Sequence, residues 1–117
     1  MTISKEVRLL HRVNKNFSDF KEELMMYSKQ MLIEKADIIA STSTCHFYLT
    51  EQAHFSKEEI DYLLTFKNPL KVVADVYVDS INDKSEKRYS IDYIMENKDV
   101  FTKEYPLMKT VKTPERE

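Results

Sequence analysis

The side chains best suited to chemistry in this sequence are three histidines, one cysteine and a few neighbouring carboxylates, and their spacing argues against a catalytic role. His11, His46 and His54 are the candidate general bases or metal ligands. Cys45 and His46 are adjacent, and neighbours on a helix lie about 100° apart, so nucleophile and base would not face one another. A lone cysteine forms no intramolecular disulfide and no all-cysteine metal site, and no histidine spacing fits a zinc signature. Buried cysteine usually packs as a small apolar residue, which is the expectation for Cys45. The pairs Glu58–Glu59 and Asp79–Asp83 have the types needed for acid–base work. Glu59, however, fits a helix-capping role, and both glutamates suit a helix N-terminus. The sequence therefore predicts no catalytic residue, no metal and no cofactor. One polar run, Ser41-Thr42-Ser43-Thr44, is unusual for mid-helix. It either lines a pocket with His46 and Tyr48, which would be the site of an unfamiliar enzyme, or packs closely with its hydroxyls bonded back to helical carbonyls.

The elements that must hold these residues follow from composition. The chain has 117 residues, enough for one domain with its own core, and contains no glycine. Average usage of about 7% would give roughly eight glycines. Their absence removes the usual phosphate-binding loops, the nucleophile elbow and the EF-hand turn, and disfavours tight hairpins. Helices joined by polar caps remain. The prediction is a mainly α fold, a compact bundle of four to five helices over residues 1–108. Its C-terminal segment is expected to be irregular or a short strand, and residues 109–117 a frayed tail. With 18 basic and 20 acidic side chains the net charge is −2, which gives no general attraction to nucleic acid. No run approaches the ~20 apolar residues of a membrane span, and the charged N-terminus is unlike a signal peptide, so a cytoplasmic location is expected.

The spacing predicts a first helix from Ser4 to Tyr27, with Val7, Leu10, Val13, Phe17, Phe20 and Leu24 on one face. Asn14 and Asn16 mark a place where it could break. A second helix starts at the N-cap Ser28 and continues to Thr50. A third opens on a capping box, Ser56 with Glu59, flanked by Phe55 and Ile60 at staple positions. A fourth opens at Asn68-Pro69, cap and first-turn proline, and runs through Ile81. Over residues 70–78 an alternating strand pattern competes with this helix. Asn82–Lys87 reads as a loop, and Ser90 as the cap of a short helix reaching Glu96.

Two charged stripes at helical spacing are candidates for binding. Lys5, Arg8, Arg12 and Lys15 form a basic row on the first helix. Asp75, Asp79, Asp83 and Glu86 form an acidic row on the fourth, flanked by Val72 and Val76. Like charges three and four residues apart repel by a few tenths of a kcal/mol per pair, so folding does not ask for them. The ordinary alternative is a solvated helix face.

From Leu10 to Tyr77 the pattern also resembles a protein family, the domain of unknown function 3848 family, whose members are small proteins or modules of gut Firmicutes and their mobile elements. The residues that carry the resemblance are Phe17-x-x-Phe20 with Leu24, then Ile33 and Ala36, then Ser56-x-x-x-Ile60-x-x-Leu63-Leu64. Asn68-Pro69-Leu70 followed by Asp75-Val76-Tyr77 completes it. The chain departs from the family at Ser41–Thr44, where charged residues are usual. The resemblance implies a helical fold and a mobile-element setting, and no reaction.

These readings lead to one functional expectation and two alternatives. The expectation is a non-enzymatic protein-binding domain, an adaptor or inhibitor that occludes a partner through the acidic face. In a phage or plasmid setting the partner would be a basic nucleic-acid enzyme of host defence, making the protein anti-CRISPR-like. The same face could meet the basic stripe of a second copy. The alternatives are a nucleic-acid-binding module using the basic stripe, and an enzyme with a site near His46 and Tyr48.

Overall fold

A computed structural model describes residues 4–80 and 87–108; Asp83, Glu86, the expected loop at 82–87 up to its last residue and the expected tail lie outside them. The described chain is mainly α, as expected, with seven helices. They are α1 (Lys5–Leu24), α2 (Lys29–Glu34), α3 (Ala36–Phe47), α4 (Lys57–Leu63), α5 (Pro69–Ser80), α6 (Lys87–Glu96) and α7 (Lys98–Glu104).

Ser4 caps α1 by accepting the Val7 N–H at 3.2 Å. The helix does not break at the asparagines, each of which has a tertiary partner. Asn16 is buried and donates to the Lys67 carbonyl, while Asn14 accepts a hydrogen bond from His46. Leu9 and Val13 are buried on the inward face, whereas Val7 is exposed, a small rotation from the predicted stripe. The second predicted helix is divided in two. Ser28 caps α2 as expected, accepting from Met31 N–H. The chain then turns at Lys35, whose φ of −102° and ψ of 15° leave the helical basin. No residue of α2 is buried, so no core contact holds α2 in line with α3, which packs along α5. A π-helical turn, Tyr48–Gln52, ends this segment. Ser41 and Thr42 of the hydroxyl run are buried; Thr42 Oγ1 donates to the Ile38 carbonyl at 2.7 Å, as the close-packing reading has it, whereas Ser41 Oγ has no hydrogen-bond partner among the described residues.

The capping box of α4 is complete. Ser56 Oγ accepts from Glu59 N–H at 3.1 Å, and Glu59 Oε1 accepts from Ser56 N–H at 2.9 Å. Glu59 does more than cap. It is buried, and both its oxygens accept from the Arg88 guanidinium of α6, which fastens α4 to α6. Burial pushes the Glu59 carboxyl up, but the hydrogen bonds from Arg88 and Ser56 outweigh it and hold the group below its ordinary value. Arg88→Met is expected to cost about 1–2 kcal/mol, since it strips a buried carboxylate of its main donor, reduced because the guanidinium is partly screened by water. Because Glu59 titrates lower in the folded state, its contribution is full above the ordinary carboxylate pKa and fades as pH falls through the folded value. Urea midpoints at pH 7 and pH 4 should therefore differ less in the variant.

Asn68 Oδ1 accepts the Lys71 N–H at 2.9 Å, capping α5 directly before Pro69. This resolves the helix–strand ambiguity of residues 70–78 in favour of helix. The ambiguity has a physical source: Leu70, Val72, Val73, Ala74 and Val76 are all buried, because α5 runs through the middle of the bundle against α3, α6 and α1. A helix apolar on most sides loses its period. Val72 and Val76 therefore belong to the core and do not form the exposed apolar flank expected of them. Ser90 is likewise no cap; it lies inside α6, fully buried beside Ile91 and Ile94.

After α7 the chain extends and pairs with the segment following α4. Lys67 N–H donates to the Pro106 carbonyl at 3.1 Å and Met108 N–H to the Thr65 carbonyl at 2.8 Å, an isolated antiparallel bridge at Phe66 and Leu107. The C-terminal segment is thus a short helix followed by one strand-like contact. Among the described residues no helix is long and apolar enough to cross a membrane.

Candidate functional site

The histidines and Cys45 are dispersed. Cys45 is fully buried in the core, and His11 and His54 are exposed. His46 Nε2 lies 2.8 Å from Asn14 Oδ1, and its ring stacks on Phe17 with centroids 4.1 Å apart. Tyr48 turns instead to Arg88. His46, Tyr48 and the hydroxyl run therefore do not converge on one pocket. No three His, Cys, Asp or Glu side chains gather as a metal-ligand set among the described residues.

The His46 stack fastens α3 to α1, and burial, then the charge of Lys21, lowers the pKa of the imidazole. The unfolded chain consequently takes up a proton first as pH falls. Stability linked to His46 is full above about pH 6.5, the ordinary imidazole value, and is lost as pH drops through the lower folded value. Urea midpoints should fall between pH 7.5 and 5.5, and His46→Gln should flatten that slope; an unchanged slope would remove His46 as its source.

Of the basic stripe, Arg12 is turned into the fold, while Lys5 and Lys15 make exposed ion pairs. Arg12 is half-buried and donates to the Leu64 and Phe66 carbonyls, closing the end of α4. Burial, then Arg8, lowers its pKa. Lys5 reaches Asp61 of α4 at 2.8 Å, and Lys15 pairs with Asp19 along α1 at 3.3 Å. Arg8 is exposed.

The acidic stripe leads to a real concavity. Asp75 and Asp79 of α5 form one wall of a groove of about 360 Å³ between α5, α6 and α7, with Val76 on the same wall. Tyr89 and Tyr93, one turn apart on α6, form the second wall; Phe101, Glu104 and Tyr105 close the third. The rings make a continuous row. Tyr89 and Tyr93 centroids are 6.0 Å apart, Tyr93 meets Phe101 edge-on at 6.0 Å, and Phe101 stacks with Tyr105 at 5.9 Å. Tyr105 then touches Phe66 at the centre of the core. The row is anchored inside and open outside, where Tyr89 is 45% and Tyr93 41% exposed.

Three carboxylates border these rings, and among the described residues no lysine or arginine lines the groove. Asp75 Oδ2 accepts the Tyr105 hydroxyl at 2.7 Å, and Lys71 Nζ approaches the same oxygen at 3.3 Å. Burial, then the hydrogen bond and charge of Asp75, with the charges of Glu104 and Asp79, push the Tyr105 hydroxyl well above its ordinary pKa. Tyr105 thus stays a donor and holds Asp75 in place. Asp79 and Glu104 form no ion pair with a described residue. Exposed π-faces beside unneutralised carboxylates are a receptor for cations. Among the described residues that line the groove, no nucleophile stands beside a base.

Two of the four predicted acidic residues, Asp75 and Asp79, thus reach the groove, and Val76 lines its wall while Val72 is hidden behind it. Sequence reasoning missed Tyr89, Tyr93, Phe101, Glu104 and Tyr105. Part of their signal was available in the Tyr89–Tyr93 pair at i and i+4, which places two rings on one helical face; Tyr105 stands just past the end of α7, in extended backbone.

Compared with protein-family models, with curated proteins and with solved structures, the chain matches none of them.

Proposed function

We propose that this protein is a non-enzymatic binding domain that seats a basic protein surface in the α5–α6–α7 groove and acts, as adaptor or inhibitor, by occluding that surface. The observation that carries the reading is the union in one concavity of exposed tyrosines and three carboxylates, with no cation among the described residues that line it. Charge complementarity of this kind steers encounter and selects partners. The setting implied by the resemblance to the domain of unknown function 3848 family, a mobile genetic element, would make a basic nucleic-acid enzyme of host defence the partner.

Direct nucleic-acid binding has less support, because Arg12 is committed to the Leu64 and Phe66 carbonyls and Lys5 and Lys15 each stand beside a carboxylate. The same occupancy weakens the stripe as a docking surface for a second copy. The test is capture of partners from host lysate at low and high salt, alongside a labelled duplex and single strand. Stoichiometric capture of one basic protein, lost at high salt, with no shift of either nucleic acid, is the expected result. Nucleic-acid binding with a steep salt dependence would replace this reading with the alternative.

A further inference from the structure

Resting on the proposed function, we infer that the groove selects arginine over lysine, its occupant being a protein segment whose guanidinium groups stack on Tyr89 and Tyr93 and fork onto Asp79 and Glu104. Three observations converge on this. The two tyrosines are the exposed end of the ring row, and neighbouring planes tilted by 30° with centroids 6.0 Å apart offer a broad, nearly continuous π-surface. A flat, weakly hydrated guanidinium can lie on such a surface, whereas a lysine ammonium keeps its water and acts as a point charge. The carboxylates stand beside the rings, so one guanidinium can stack with its face and donate with its edge, which an ammonium cannot do. The volume, about 360 Å³, is at the lower end of ligand pockets, suited to one or two inserted side chains.

The division of labour among the acids follows from their contacts. Asp75 is held by Tyr105 and Lys71 and shapes the wall; Asp79 and Glu104 make no ion pair with a described residue and are the groups that receive the incoming cation. The ring row gives the receptor its rigidity, because Phe101 and Phe66 fix its inner end in the core. Little ordering cost then falls on the tyrosines when a partner arrives.

The test uses the full chain and three labelled nonapeptides of identical sequence, carrying three arginines, three lysines or three citrullines, titrated by fluorescence anisotropy. Citrulline keeps the planar shape without the charge. The arginine peptide should bind, the lysine peptide about tenfold or more weakly, and the citrulline peptide not measurably. In Tyr89→Ala/Tyr93→Ala, whose fold is checked by circular dichroism, the arginine peptide should fall to the level of the lysine peptide. Equal affinity for arginine and lysine in the unaltered protein, abolished by Asp79→Lys/Glu104→Lys, would overturn the arginine inference while leaving the basic-partner reading intact. Binding of neither peptide would overturn both.

Discussion

Phe66→Ala is expected to lower the unfolding free energy by about 4 kcal/mol, the cost of removing a well-packed buried aromatic ring. Phe66 is fully buried, and its ring meets Tyr62 edge-on at 5.1 Å and Tyr105 at 6.3 Å. Its backbone belongs to the same junction. The Phe66 carbonyl accepts from Arg12 of α1, and its neighbours Thr65 and Lys67 pair with the extended C-terminal segment. One residue thereby joins α1, α4 and the extended segment after α7. Domains of this size are stable by only about 5–15 kcal/mol, so a loss of this order is a large share of the total. Phe66→Leu keeps most of the volume and should cost about 1.5 kcal/mol or less. Urea denaturation of both variants checks the ordering. A cost under about 1 kcal/mol for the alanine variant would mean that the ring does not fill the core as described.

The second large effect falls on binding. Asp79→Lys/Glu104→Lys turns two attractive charges at the groove into repulsive ones while touching no buried apolar contact. Affinity for a basic partner should fall roughly 30–150-fold, equivalent to about 2–3 kcal/mol. Asp79 is exposed on α5 and Glu104 is exposed in the last turn of α7, so neither change should cost the fold much stability. Asp75 is a poorer choice for this test, since its carboxylate also anchors Tyr105 and Lys71. Raising the salt should weaken the unaltered protein and leave the residual binding of the variant nearly flat, because screening acts only on charges that contribute. Isothermal titration at two ionic strengths measures both quantities.

Which parts of this architecture were legible in the sequence follows from where its information is local. Caps are local, and Ser4, Ser28, Ser56 with Glu59, and Asn68 each stand where a helix begins. The zero glycine count correctly pointed to helices. What failed was everything decided by tertiary partners. Asn14 and Asn16 looked like helix breakers because their tertiary partners lie some 30 to 50 residues away. Arg12 looked like surface charge, yet it closes the end of α4. Val72 and Val76 looked like one flank of an amphipathic helix, yet α5 is enclosed on most sides, and enclosure erases the periodicity that would have revealed it.

The groove itself was half legible. Its acidic wall was visible as a row on one predicted helix, because like charges at helical spacing cost energy that folding does not require. Its aromatic walls come from α6 and α7, which the periodicity resolved poorly: α6 begins at Lys87, before the serine taken for its cap, and α7 was expected to be irregular. A site assembled from three helices is a property of their packing, and no single segment carries it.

The groove between α5, α6 and α7 is the face on which a basic partner is proposed to dock. Amide chemical shifts of the isotopically labelled protein, followed during titration with the arginine nonapeptide, test this most directly. Saturable shifts are expected at Asp79, Tyr89, Tyr93, Glu104 and Tyr105, with Lys5, Arg8 and Lys15 unmoved. Shifts confined to other surfaces, or none at saturating peptide, would contradict the proposed docking face.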